Sequence, residues 1–359
     1  MKTKNFKIIY LILILIIFSS ITFAEKSYKK AEVVQEMSRK QIVDQPGFKI
    51  IRQNLLIKLN DSKNVAGLTN DYNPEHPEEI ILEPGDNIIV NFNKDKNEYL
   101  FFSYDRTNYL LITLLIFFLL VILIGKKKGV KALISLIATI ILLFLIYIPF
   151  ILKGVSIIAL TILVSILAIL ITVIVLNGFS IKSISSIFGI ITGLIASGIL
   201  SYIMIEVTNL TGISLNSSQM LKYLPQNIDI DFGGLLLSSV IIGALGAVMD
   251  VGVEISSSMY EIKMANKDMK MKEHVKRGFN VGKDVIGTMT NTLVLAYTGA
   301  SLPILIIFVA YKWEFIKIIN LDIISSEILR ALAGSVGLVL AIPATIFISA
   351  FLLHEKYNN

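Results

Sequence analysis

Tyr109-Leu-Leu-Ile-Thr-Leu-Leu-Ile-Phe-Phe-Leu-Leu-Val-Ile-Leu-Ile-Gly125 contains no charged residue, and Lys126-Lys127-Lys128 follows it directly. At 1.5 Å per residue a helix of this length reaches about 25 Å, close to the hydrocarbon thickness of a bilayer, and its lysines then stand among the headgroups. Similar apolar stretches recur downstream, so seven spans are expected, at 109–125, 131–151, 155–176, 184–207, 233–254, 285–311 and 331–353. Composition agrees. Of 359 residues, 54% are hydrophobic and 17% charged, with a mean hydropathy of +0.73, against roughly 25% charged in a soluble domain. A chain so short of polar surface belongs in lipid.

Upstream of the spans the chain reads differently. Lys2, Lys4 and Lys7 precede an apolar run from Ile8 to Phe18, and Thr22-Phe23-Ala24 supplies small residues for a cut. This three-part pattern predicts a signal peptide over 1–24, removed after Ala24; an uncut signal anchor is the alternative. Residues 25–107 are polar and read as one extracytoplasmic domain. Leu55-Leu56-Ile57-Lys58-Leu59 and Ile88-Ile89-Val90-Asn91-Phe92 suit strands, and Glu83-Pro84-Gly85-Asp86 fits a type II turn. The domain is therefore expected to be a small β-barrel or sandwich. Glu75, Glu78 and Glu79 lack the regular spacing of a calcium loop.

An exported domain ahead of seven spans places the C-terminus in the cytoplasm, and the basic residues provide an independent check. Predicted inner segments hold thirteen Lys and Arg, while predicted outer loops hold five: Lys153, Lys222, Lys312, Lys317 and Arg330. That bias is the positive-inside rule. It also accounts for the net charge of +6 without nucleic acid. The Lys- and Met-rich stretch 257–283 suits a helix lying on anionic lipid. Its thioethers are soft ligands, but their spacing is irregular and neighbouring lysines repel a metal cation. Residues 312–330, with Trp313, suit an interfacial helix on the other side.

Polar chemistry enters the bilayer in the fifth and sixth spans. In Gly243-Ala244-Leu245-Gly246-Ala247-Val248-Met249-Asp250-Val251-Gly252-Val253-Glu254, the two acids lie four apart and share one helical face. The next span enters as Asp284-Val285-Ile286-Gly287-Thr288-Met289-Thr290-Asn291, which brings Thr288 and Asn291 to the depth of Asp250. A shared polar pocket lined by Asp250, Glu254, Asp284, Thr288, Asn291 and Tyr297 is expected, with Lys283 pairing with Glu254 at its mouth. Gly243, Gly246, Gly287 and Gly299 would let the helices approach closely. Hydrogen-bonded fastening of helices is the competing account of the same residues. Pro303 and Pro343 would bend the sixth and seventh spans.

Several chemistries are absent from the sequence. There is no cysteine, and His76, His274 and His354 lie far apart in the chain. No nucleophile with a base and no cofactor motif is visible, so neither an enzyme nor a cofactor-binding protein is expected.

Gly243-Ala-Leu-Gly-Ala-Val-Met-Asp-Val, followed by Asn280-Val-Gly-Lys-Asp-Val-Ile-Gly-Thr-Met-Thr-Asn-Thr-Leu-Val-Leu-Ala-Tyr-Thr-Gly, resembles the bacterial YibE/F family. Arg52-Gln53-Asn54-Leu55 and Pro84-Gly85-Asp86-Asn87 are similar to the family's strand and Gly-Asp turn, whereas Asp61-Ser62-Lys63-Asn64 replaces its glycine-rich loop. The resemblance implies a multi-pass protein of the bacterial cytoplasmic membrane and supplies no catalytic residues. The expectation is transport of an ion or small solute through the polar pocket; the rival is a receptor or assembly scaffold whose exported domain binds a partner. Partners expected are the lipid bilayer, the transported ion or solute, and a second copy or a related membrane protein.

Overall fold

A computed structural model describes residues 28–45, 48–61, 64–74, 80–93, 98–213, 216–224 and 228–358. The expected signal peptide and Glu75, Glu78 and Glu79 lie outside them. The chain divides into two compact units, Met1–Leu120 and Val121–Asn359.

Among the described residues the first unit holds five strands, β1 (Tyr28–Gln45), β2 (Phe48–Leu59), β3 (Val65–Tyr72), β4 (Asn87–Asn93) and β5 (Glu98–Tyr104). They close into a barrel in the order β1-β2-β3-β5-β4, antiparallel except for the parallel β3–β5 pair. This is the strand order of an OB-type Greek-key barrel. Alternation sets its core: Leu55, Ile57 and Leu59 of β2 and Ile88 and Val90 of β4 point inward and are almost wholly buried.

Gln53, fully buried, is the polar pin of the barrel. Its Nε2 donates to the Leu82 carbonyl at 3.2 Å, and its Oε1 accepts from Leu82 N–H and from Asn70 Nδ2, each at 3.1 Å. The loop at Ile80–Leu82 is thereby tied across the barrel. Gly85 has φ +98°, and Asp86 N–H bonds to the Glu83 carbonyl at 3.1 Å, as the expected type II turn requires. Beyond β5 only Asp105 and Arg106 intervene before helix α1 (Thr107–Leu142) begins.

Helix α1 runs on through a π-helical turn to Ile151, giving 45 residues of apolar sequence. Unbroken, that would be about 67 Å, twice what a bilayer needs. It is not unbroken. Lys126 sits at φ 48°, ψ −127°, and a Cβ on Gly129 would collide with the Val121 carbonyl oxygen, so the backbone doubles back where the lysines lie. The long helices that follow are α2 (Ile157–Asn177), α3 (Ile181–Thr208), α4 (Phe232–Ala265), α5 (Met271–Ala300), α6 (Leu302–Ala310) and α7 (Asp322–Asn358). Among the described residues five stretches are long and apolar enough to cross a membrane, or six if α5 and α6, which meet at 64°, form one broken span. The expected first two spans fall together in Thr107–Ile151.

Helices α3, α4 and α7 form the centre of the second unit, and glycine permits their approach. A Cβ on Gly193 would lie 2.5 Å from the Gly337 carbonyl oxygen, and one on Gly252 would lie 2.5 Å from Ile190 Cγ1. Hydroxyl pairs fasten neighbouring helices: Thr161 donates to Ser238 at 2.7 Å, and the Ser186 and Ser256 hydroxyls lie 2.6 Å apart.

Two loop expectations change. The stretch 257–283 is the end of α4, a short turn and the start of α5 rather than one surface helix. Met259 and Met269 are buried there, and Met259 packs against Gly278 of the returning α5. Only Phe315–Ile319 is helical in the Trp313 segment before α7 begins at Asp322, nine residues ahead of the expected seventh span.

Candidate functional site

Helix α4 is two-faced. Ala244, Val248, Val251, Ile255 and Met259 recur at helical spacing and are buried in the core, whereas Gly243, Gly246, Asp250 and Glu254 occupy the opposite face and are exposed. The same division holds in α5. Gly278, Gly282, Val285 and Leu293 are buried, and a Cβ on Gly282 would lie 2.6 Å from Ile342 of α7. Asp284, Gly287, Thr288 and Asn291 are exposed.

The two helices run antiparallel, and two close contacts set their register. Met259 Sδ would lie 2.5 Å from a Cβ on Gly278, and the Tyr297 hydroxyl abuts Gly243. Asp250 lies between these contacts, which places it opposite residues 287–290. A common level of Asp250 and Thr288 along the helix pair is therefore present.

An enclosed pocket is not. Thr288 donates back to the Asp284 and Val285 carbonyls of its own helix, at 3.3 and 3.2 Å, and no hydrogen bond joins it or Asn291 to Asp250. The expected Lys283–Glu254 ion pair is not formed either. The polar groups line an open face because each points outward from the same core. Of the four glycines expected at close approaches, only Gly243 is at one; around Gly246, Gly287 and Gly299 no neighbouring atom comes within 4 Å of where a Cβ would stand. Their open sides belong to the exposed face.

A second polar group lies toward the other end of these helices. Arg330 of α7 donates from Nε to the Ser239 hydroxyl of α4 at 3.0 Å and forms an ion pair with Glu327, one turn earlier. A cavity of about 220 Å³ beside them is lined by Tyr297, Thr298, Ser301 and Glu327, at the break between α5 and α6. Sequence reading passes over Glu327 and leaves Arg330 in a loop. The signal that points to them is their i, i+3 spacing, which suits an ion pair on a helix.

The family model of YibE/F-like proteins matches residues 113–355, well over half of the chain. The chain belongs to the YibE/F-like family. The matched YibE/F-like segment contains every group described above on α4, α5 and α7. No curated protein and no solved structure matches the chain.

The YibE/F-like segment also assembles what its sequence keeps apart. His274 of α5 and His354 of α7 lie with ring centroids 5.6 Å apart. His274 is fully buried and its Nε2 lies 2.8 Å from the Met259 carbonyl, which fixes that nitrogen as the donor. Beside them Lys263, also fully buried, donates to the Met269 carbonyl at 3.2 Å. These bonds close the α4–α5 turn, and the His274–His354 ring contact sets it against the end of α7. Among the described residues no three His, Asp or Glu side chains group as metal ligands.

Proposed function

We propose that this YibE/F-like protein is a transport-type protein rather than an enzyme, moving an ion or small solute along the polar face of α4 and α5. In this reading Asp250 titrates or coordinates a cation, and Thr288 and Asn291 supply oxygen ligands at the same depth. The observation that carries the reading is the exposure of Asp250 and Glu254 on a helix apolar enough to cross a membrane. An ionised side chain at the bilayer centre costs about 3 kcal/mol or more, so such a face is retained where it meets water, a cation or another polar surface. The 64° break between α5 and α6 adds support, since broken helices with freed backbone groups line substrate paths in transporters.

The topology we favour is seven crossings in the bacterial cytoplasmic membrane, with residues 25–107 outside and the C-terminus inside. It counts Thr107–Ile151 as two crossings that reverse at Lys126, and α5 with α6 as one. The excess of basic residues on the inner side supports it.

Proteoliposomes carrying the wild type and Asp250→Asn, loaded with pH- and cation-sensitive dyes, test the reading. Flux in the wild type that falls at least several-fold in the variant is expected; equal flux in both, or none in either, overturns it. A receptor or scaffold is the second reading. It draws on a recess of about 450 Å³ on the barrel, lined by Arg52, Asp71, Glu98 and Phe101. Deleting residues 25–107 separates the two, because retained flux favours transport and lost biological effect with an intact helical unit favours the receptor.

A further inference from the structure

Two sets stand out among the helix glycines of the second unit, beside Gly125 of α1, which also faces open space, and Gly198, which makes an ordinary contact at 3.5 Å. Gly193, Gly252, Gly278 and Gly337 are used inside the chain, each with a neighbouring helix's atoms within 2.7 Å of where its Cβ would be. Gly246, Gly287 and Gly299 face open space, and all three lie on the outer sides of α4 and α5, the sides that carry Asp250, Glu254 and Asp284. Small residues of this second kind leave room for a foreign helix, and the polar groups between them are poorly matched to acyl chains.

The charges on this face indicate which surface fits. Glu254 of α4 and Lys283 of α5 are both exposed, make no ion pair with each other, and stand at nearly the same depth in the register set by Gly243–Tyr297 and Met259–Gly278. A two-fold axis along the membrane normal preserves depth and brings the same patch against itself. One such operation sets Glu254 against the partner's Lys283 and Lys283 against the partner's Glu254. It also covers Asp250 on both chains with polar rather than apolar surface.

We propose that a second copy of this chain docks through the α4–α5 face, so that the transport site is completed only in a homodimer. The proposal rests on the transport reading for what the interface does, but not for whether the interface exists. Glu254 and Lys283 at one level are complementary to the same two groups on a second copy, which favours that copy over an unrelated membrane protein; Asp250 and Asp284 are the other exposed acids of the face.

Because the chain has no cysteine, single substitutions report contacts cleanly. Gly246→Cys and Gly287→Cys place a thiol in the open space of the face, and Ile195→Cys and Ile199→Cys place one on an exposed apolar side of α3. In native membranes treated with copper phenanthroline, the face variants are expected to give a disulfide-linked band of twice the chain mass, and the α3 variants to remain monomeric. Monomer from all four, a crosslink to a protein of different mass, or equal dimer from both sets overturns the proposal. In the second test, Glu254→Lys and Lys283→Glu copies are each expected to lose dimer alone, by about tenfold or more, and to recover it when mixed. Recovery only when both changes are in one chain means pairing within the chain, and overturns the proposal. Crosslinking does not depend on flux: a dimer without flux removes the transport reading alone, while flux from a monomer removes this one alone.

Discussion

Gly193 of α3 and Gly337 of α7 lie back to back, each with its Cα against the other's carbonyl oxygen. A Cβ on Gly193 would come within 2.5 Å of the Gly337 oxygen, and one on Gly337 within 2.7 Å of the Gly193 oxygen. Backbone oxygens cannot swing aside as a long side chain can, so this contact determines how closely the two helices cross.

Alanine at either position is therefore expected to push α3 and α7 apart at a cost of about 1–3 kcal/mol. Gly246→Ala, with nothing near the methyl group it would gain, is the matched control. Thermal unfolding in detergent should show a clear drop in Tm for Gly193→Ala and Gly337→Ala and little change for the control. Equal Tm values in all three would contradict the packing described.

Asp250→Asn removes a charge from an exposed face without touching the core, so it should leave thermal stability unchanged or slightly raised. A large loss of stability would instead mean that the carboxylate fastens helices, which is the structural account of the same residue.

In the barrel, loss of Gln53 should be costly. Gln53→Leu fills the same space but leaves the Leu82 N–H and the Asn70 amide short of partners, an expected loss of about 2–4 kcal/mol. Amide hydrogen exchange at Leu82 should accelerate before the strands themselves open. Unchanged protection there would show that the pin is not needed.

Acid should weaken the same domain through Asp105. Its carboxylate is held at about 2, below the usual 3.8, mainly by the hydrogen bond from Lys30 and then by those from Thr107. A folded value below the unfolded one means the contribution is complete above about pH 4 and disappears as the pH falls through about 2. Circular dichroism of wild type and Asp105→Asn across that range should converge at the acid end. Parallel curves would rule out the linkage.

How much of the fold is legible in the sequence follows from the range of each signal. Leu55–Leu59 and Ile88–Phe92 alternate over a few residues, and Pro84-Gly85 is a local turn, so strands and turn read directly. The parallel β3–β5 pairing does not, since it joins Leu68 to Tyr99 across the whole of β4. Periodicity reveals the shared face of Asp250 and Glu254, but not what that face meets, because a helical pattern says nothing about what lies opposite. Glu327 and Arg330 are hidden for a different reason: their charges lower the local hydropathy, so a helix that starts at Asp322 reads as starting near residue 331. The His274–His354 contact joins positions eighty residues apart and has no local trace.

The joint between β5 and α1 has a mechanical consequence. Asp105 accepts from the Thr107 N–H at 3.0 Å, pairs with Lys30 of β1 at 2.8 Å, and donates its own N–H to the Asn87 carbonyl at 2.8 Å. A two-residue joint in which Asp105 is anchored in this way leaves little slack. A torque applied to the barrel is delivered to the first turn of α1 as through a stiff coupling rather than dissipated in a tether.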